Sequence, residues 1–225
     1  DRHAAFSALE SGCSNPGPEV MRKPKAVKSL ENLGRVRLSQ NFFLRDFLYS
    51  EISNLNGIAN IPDDPDLAIA AGGKLCGELL EPLYRTFGGV AIRSAYRSRQ
   101  VNAFGNKHKL NCATNEANYG RHIWDSRDRD GCLGATACIV IPWFADRYQD
   151  GADWQSLAWW IHDHLPYSEL CFFPKLAAFN INWCERPKRQ IMSYIGPKRF
   201  LTKPGWDNHE GDHGGQYRGF PELVP

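Results

Sequence analysis

The sequence predicts an α+β domain in which helices come first and a small sheet follows. Three observations carry this. Apolar residues recur at helical spacing between 67 and 83 (Leu67, Ile69, Ala70, Leu75, Leu79, Leu80, Leu83). The run 135–141 reads Ala-Thr-Ala-Cys-Ile-Val-Ile and is stopped by Pro142, the clearest strand in the chain. Three further short strands, at 170–173, 178–183 and 189–194, are separated by Pro174 and Pro187.

The elements follow in order. Residues 1–37 are rich in Ser, Gly, Pro, Lys and Arg without periodicity, so an extended arm is expected there. Order is expected to begin at Leu38, with Ser39 placed to cap a helix that carries Phe42, Phe43 and Phe47. After a loop at 60–65, Asp66 can cap a helix running to about Tyr84. Gly72 and Gly73 weaken that helix, each by up to ~1 kcal/mol relative to Ala. Phe87-Gly88-Gly89 ends it, and Val90-Ala91-Ile92 reads as a buried strand. Residues 98–134 form a long polar stretch without clear pattern, and loops of that length inside a compact domain are usually functional or mobile. Asp153 can cap a helix bearing Trp154, Leu157, Ala158 and Ile161 on one face, and a Gly/Pro-rich polar tail is expected over 196–225.

Composition excludes several classes. With 27 Lys+Arg against 25 Asp+Glu, a net charge of +2, there is no concentrated basic field of the kind a dedicated nucleic-acid binder shows. No apolar run approaches the ~20 residues of a membrane span, so a soluble protein is expected. The seven cysteines are dispersed and form no CxxC pair, which argues against a zinc ribbon or a thioredoxin-like centre. Cys112 and Cys132 flank a polar loop and are the pair considered for a disulfide.

Three stretches together resemble the zinc D-alanyl-D-alanine carboxypeptidase family, whose fold is shared with Hedgehog signalling domains. Leu38-Ser39 through Phe43, Phe47 and Ser50 to Gly57-Ile58-Ala59-Asn60-Ile61-Pro62 is similar to that family's entry segment. Leu80-Glu81-Pro82-Leu83 to Phe87-Gly88, leading into Ile92-Arg93-Ser94-Ala95-Tyr96-Arg97-Ser98, resembles its helix end and its I-x-S-G-Y-R-S segment. Asn180-Ile181-Asn182-Trp183 lies where the family carries H-I-S-W, before a return strand containing Arg189. The similarity spans roughly residues 38–195. It implies a small, mostly antiparallel sheet with helices packed on one side, and a cleft in which Ser94, Tyr96 and Arg97 bind substrate, Arg97 through charge-assisted hydrogen bonds.

In the resembled family, zinc is held by a His, an Asp and a second His, with a Glu three residues before the last His as general base. Three ligands and one open water position are what turn that water into a nucleophile. Here Gly134-Ala135-Thr136-Ala137-Cys138 resembles the G-x-A-x-D stretch with Cys138 in place of the Asp. His122 takes the first place only if an insertion separates it from Gly134, and His108 and Cys112 compete for that role. Asn180 stands in the last His position and Ala177 in the base position. Cys184, four residues past Asn180 on the same strand face, gives a substitute set His122/Cys138/Cys184.

The resemblance therefore implies a peptidoglycan-directed domain with a modified or lost zinc centre. Such a domain would bind cell-wall peptide, or serve as a scaffold in a larger assembly such as a phage particle, and so be virion-associated, periplasmic or extracellular. An active zinc D,D-peptidase and a purely structural interaction protein remain as alternatives; in the latter the arm, Trp159, Trp160 and the tail would make the contacts. His209-Glu210-Gly211-Asp212-His213 matches H-E-x-x-H literally, but Gly211 and the surrounding Gly and Pro deny it the helix that chemistry needs, so it is read as polar tail. His162 and His164 are read as helix-end residues, and 125–130 as a solvated charged loop.

Overall fold

A computed structural model describes residues 20–225, and the first half of the expected arm lies outside them. The second half is not extended throughout: α1 (Val27–Gly34) forms there, opened by the Ser29 hydroxyl, which accepts the Ala26 N–H. Its Leu33 is fully buried in the main core, and that burial turns a polar stretch into a docked helix. The aromatic cluster at 42–47 makes only a 3-10 turn, Leu44–Phe47. Ser39 caps nothing; its hydroxyl donates to the buried Glu81 carboxylate, which also takes the Asn41 N–H.

A short helix, α2 (Glu51–Asn56), precedes the loop that leads into α3 (Pro65–Leu75). Asp64, not Asp66, caps α3, accepting the Leu67 N–H at 3.1 Å, while Pro65 supplies the fixed φ of a first helical position. The helix continues through a π turn, Cys76–Leu80, into α4 (Glu81–Phe87), which ends on Gly88 at φ 77°. Gly72, a liability by propensity, has a packing reason. A Cβ there would stand 2.8 Å from the Trp124 ring, so the missing side chain is what lets Trp124 lie against the helix.

Strand β1 (Ala91–Ser94) is followed by α5 (Arg99–Lys107) and α6 (Asn115–Asn118), both inside the stretch expected to be loop. Capping chemistry explains them: Ser98 accepts the Val101 N–H, and Thr114 accepts that of Ala117. Then come β2 (Gly134–Val140), α7 (Pro142–Gln149) and α8 (Trp154–His164), the last capped by Asp153 as the sequence predicts. Pro142 does stop β2, but as the first residue of a helix. The chain closes with β3 (Glu169–Phe172), β4 (Phe179–Cys184), β5 (Gln190–Ser193) and β6 (Arg199–Thr202).

The six strands form one sheet in the order β1-β2-β4-β3-β5-β6, antiparallel except for β3 beside β5. The architecture is α+β, and the sheet runs past residue 195 because β6 adds to its edge. Period-two alternation divides the faces. Ala135, Ala137 and Ile139 of β2, with Phe179, Ile181 and Trp183 of β4, enter the core shared with α3, α4 and α8. The polar tail is a strap over that core: Phe220 packs edge-on to Phe87 and Trp143, and the Trp160 indole donates to the Pro221 carbonyl at 3.1 Å. Trp159 and Trp160 are accordingly buried rather than offered to a partner.

Gly134 marks the tightest backbone approach in the sheet. A Cβ there would lie 2.2 Å from the Gly120 carbonyl oxygen and 3.0 Å from that of Trp183, and backbone cannot swing away as a side chain can. Gly134→Ala is expected to destabilise the fold by about 3 kcal/mol, from overpacking against fixed backbone. Urea unfolding checks it; an unchanged midpoint would refute the account.

Candidate functional site

The other face of the sheet is polar and partly open. Register places Ser94 opposite Cys138, Cys138 opposite Asn180, Asn180 opposite Cys171, Cys171 opposite Met192 and Met192 opposite Phe200. These six residues form one row across all six strands, and each is half-buried. Thr136, Asn182, Glu169 and Gln190 form the next row along the strands.

His122 joins these rows through the backbone. Beyond the end of β1, the segment containing Arg121 takes over its edge of β2, and the Thr136 N–H donates to the Arg121 carbonyl at 2.9 Å. The Arg97 N–H donates to the His122 carbonyl at 2.8 Å. Asn60 fixes the same region from the opposite direction: its amide donates to the Tyr96 carbonyl, and its oxygen accepts the Ser98 N–H at 2.7 Å. One residue, 36 and 38 positions from its two partners, thus holds the backbone on both sides of Arg97.

His122 Nδ1 lies 2.7 Å from the Ala95 carbonyl, an arrangement satisfied by hydrogen on Nδ1. Nε2 is then the ring's bare acceptor. Burial, and after it the charge of Arg97, push the imidazole down to about 3, so it is neutral throughout the physiological range. The Cys138 thiol is pushed up by burial, with the Arg93 and Arg97 guanidiniums opposing, and it keeps its proton. Arg97 has no ion-pair partner among the described residues; its guanidinium lies 3.4 Å from the Cys112 sulfur. Ser94, Cys138 and Asn180 are therefore neighbours, with His122 beside them; the Arg97 backbone joins His122 while its guanidinium turns towards Cys112, and of the five only His122 and Asn180 wall the cavity over this face.

A cavity of about 330 Å³ opens over this face, walled in part by His122, Thr136, Cys171, Asn180 and Met192. A second, of about 400 Å³, continues it towards Asp128, Cys184 and Lys188. The two share Asn118, Arg121, Glu169 and Asn182, so they form one groove. The Arg121–Glu169 ion pair, 2.6 Å between N and O, crosses the shared part.

Several expectations need correction. Tyr96 is not a groove residue: it is 1% exposed, and its ring meets Trp124 edge-on in the core. Cys184 does not share a site with Cys138, because it pairs with Gly134, four residues from Cys138 on β2, a displacement of roughly 13 Å at ~3.3 Å per residue. The set His122/Cys138/Cys184 cannot close on one ion. Neither competitor for the first place joins the row: His108 stacks on Phe104 at the end of α5, and Cys112 packs beside Gly105. Cys112 and Cys132 are both free thiols. The donor set left at the row is one imidazole, one thiol and the Asn180 amide, with buried Ala177 at the base position. That set does not fit the zinc centre the resemblance implies.

Among the described residues, two groups of three metal-ligating side chains have their ligand atoms within 4.8 Å of one another: Asp128, Cys132 and Cys184, and His162, Asp163 and His213. In the second, His213 Nδ1 lies 2.6 Å from Asp163 and Nε2 3.0 Å from the Asn208 carbonyl, with the ring stacked on Trp159. His162 is held between the Tyr167 hydroxyl and the His209 carbonyl. Every ring nitrogen of these two histidines is engaged, so this group clamps the tail to α8. Residues 209–213 adopt no helix, with Gly211 at φ 108°. No helix of the described residues is long and apolar enough to cross a membrane.

No family model matches the chain, and no curated protein or solved structure matches it either.

The neutral state of His122 makes stability depend on pH with a definite sign. Its folded value lies below the ordinary 6.5, so the unfolded chain binds the proton more readily between pH 6.5 and about 3. The stabilisation is complete above 6.5 and is lost as pH falls through that window, by up to ~1.4 kcal/mol per pH unit. His122→Asn, whose amide can still donate to Ala95, is expected to flatten this dependence in urea unfolding series from pH 7 to 4. Parallel slopes for the two proteins would contradict it.

Proposed function

We propose that this chain is a peptidoglycan-directed, D-alanyl-D-alanine carboxypeptidase-like binding domain whose ancestral zinc centre is lost. It holds a cell-wall stem peptide in the groove, or uses the same surface to dock within a larger assembly such as a virion. The observation that carries the reading is the convergence of Ser94, Cys138 and Asn180 on one cross-strand row, beside His122 and Arg97. These are the positions that the sequence resemblance assigns to substrate and metal.

Their chemistry favours binding over hydrolysis. Asn180 offers an amide that can both donate and accept, suited to a peptide backbone and poor as a zinc ligand. His122 Nε2 is a fixed neutral acceptor. Arg97, without an intramolecular carboxylate, supplies a positive charge for a terminal or side-chain carboxylate of the peptide. With Ala177 in the base position, no carboxylate stands there to activate water.

The test is sedimentation with purified peptidoglycan together with an assay for released D-alanine. Retention on the wall without D-alanine release is expected, and Arg97→Ala should weaken retention about tenfold, the scale of one charge-assisted hydrogen bond. D-alanine release would convert the reading to an active peptidase. Absence of binding, with Arg97→Ala indistinguishable from the parent, would leave the groove without this ligand.

A further inference from the structure

We propose that Asp128, Cys132 and Cys184 form a zinc site, separate from the row that carries His122 and Cys138. The three ligand atoms lie within 4.8 Å of one another. In a tetrahedral centre with Zn–S bonds of ~2.3 Å, neighbouring ligand atoms stand about 3.8 Å apart. Side-chain adjustment within the observed spacing is enough to close the set.

The fold brings these residues together from afar. Cys184 ends β4 and pairs with Gly134, which opens β2 two residues after Cys132. Asp128 is carried to the same point by a tight turn, in which its N–H donates to the Cys132 carbonyl at 2.9 Å and Gly131 takes φ 77°.

The surroundings hold the ligands in place. Asp128 Oδ1 accepts the N–H groups of Asp130 and Cys132, at 2.9 and 2.8 Å, which fixes the carboxylate and leaves Oδ2 for a ligand. Glu185 accepts the Leu133 N–H at 2.7 Å and pairs with Arg127, so the strand ends bearing the two cysteines are tied to each other.

Two thiolates select a borderline-soft cation such as zinc over magnesium or calcium. Binding releases the two thiol protons and delivers a Cys2Asp set of net charge −3 to a dication. Asp128 and Cys184 also line the 400 Å³ cavity, so a fourth position opens to water there, at one end of the groove.

The test is metal content after saturation with zinc chloride and desalting, with cobalt chloride as a spectroscopic probe. One zinc per chain is expected, together with a thiolate-to-cobalt charge-transfer band. Cys184→Ser and Cys132→Ser should each lower zinc affinity at least tenfold and cut the band to about half or less, and the double variant should remove it. Cys138→Ser and His122→Asn should change neither. Should the serine variants fail to fold, Asp128→Asn keeps both thiols and the Oδ1 contacts, and should weaken zinc with the band retained. Three results would overturn the site: no zinc retained by the parent, zinc loss that follows Cys138 rather than Cys184, or an intact mass two hydrogens light from a Cys132–Cys184 disulfide. None depends on whether the groove binds peptidoglycan.

Discussion

The pairing of β2 with β4 is the constraint on which the rest depends. Six residue pairs, from Gly134 with Cys184 to Ile139 with Phe179, fix which side chains reach the core and which face the groove. Slipping β4 by one residue against β2 would send Ile181 outward and draw Asn180 into an apolar interior. Small residues make the arrangement possible. Ala135 and Ala137 admit α3 closely against β2, and glycine at 134 admits a third backbone beside the strand. The same ladder that builds the core therefore aligns the polar row above it.

Much of this was legible in the sequence, for physical reasons that differ between elements. The uninterrupted apolar run at 135–141 and the proline-bounded strands after it announce a sheet by pattern, and the Asp153 cap announces α8. The segment 98–134 hid its helices because α5 and α6 are short and polar and lean on caps rather than on an apolar stripe. The tail was equally opaque. Nothing local to Phe220 or Pro221 reveals that Trp160 and Phe87 need cover, since that demand arises only when α4 and α8 have packed.

The candidate site divides in the same way. Ser94, Arg97, Cys138 and Asn180 could be named because a resemblance supplied their roles, and cross-strand pairing then makes three of them neighbours. Tyr96 departs from the role the resemblance implies because residues 95 and 96 follow a register irregularity at the end of β1 and turn into the core, which parity along a regular strand does not anticipate. Asp128 and Cys132 carry no local signal of a shared site, because their partner lies some fifty residues on. Within the charged run, alternating signs look like solvent-facing decoration until β4 delivers a sulfur beside them.

The far side of the molecule is closed by the end of the strap. The last residues lie along α4, with the Val224 N–H donating to the Thr86 hydroxyl and the Arg85 guanidinium bonded to the Pro225 carbonyl. That helix belongs to the core side of the sheet, so residues 224 and 225 are anchored on the face opposite the groove. The strap and the groove therefore occupy opposite faces of one sheet, so closing the core costs the polar rows none of their exposure.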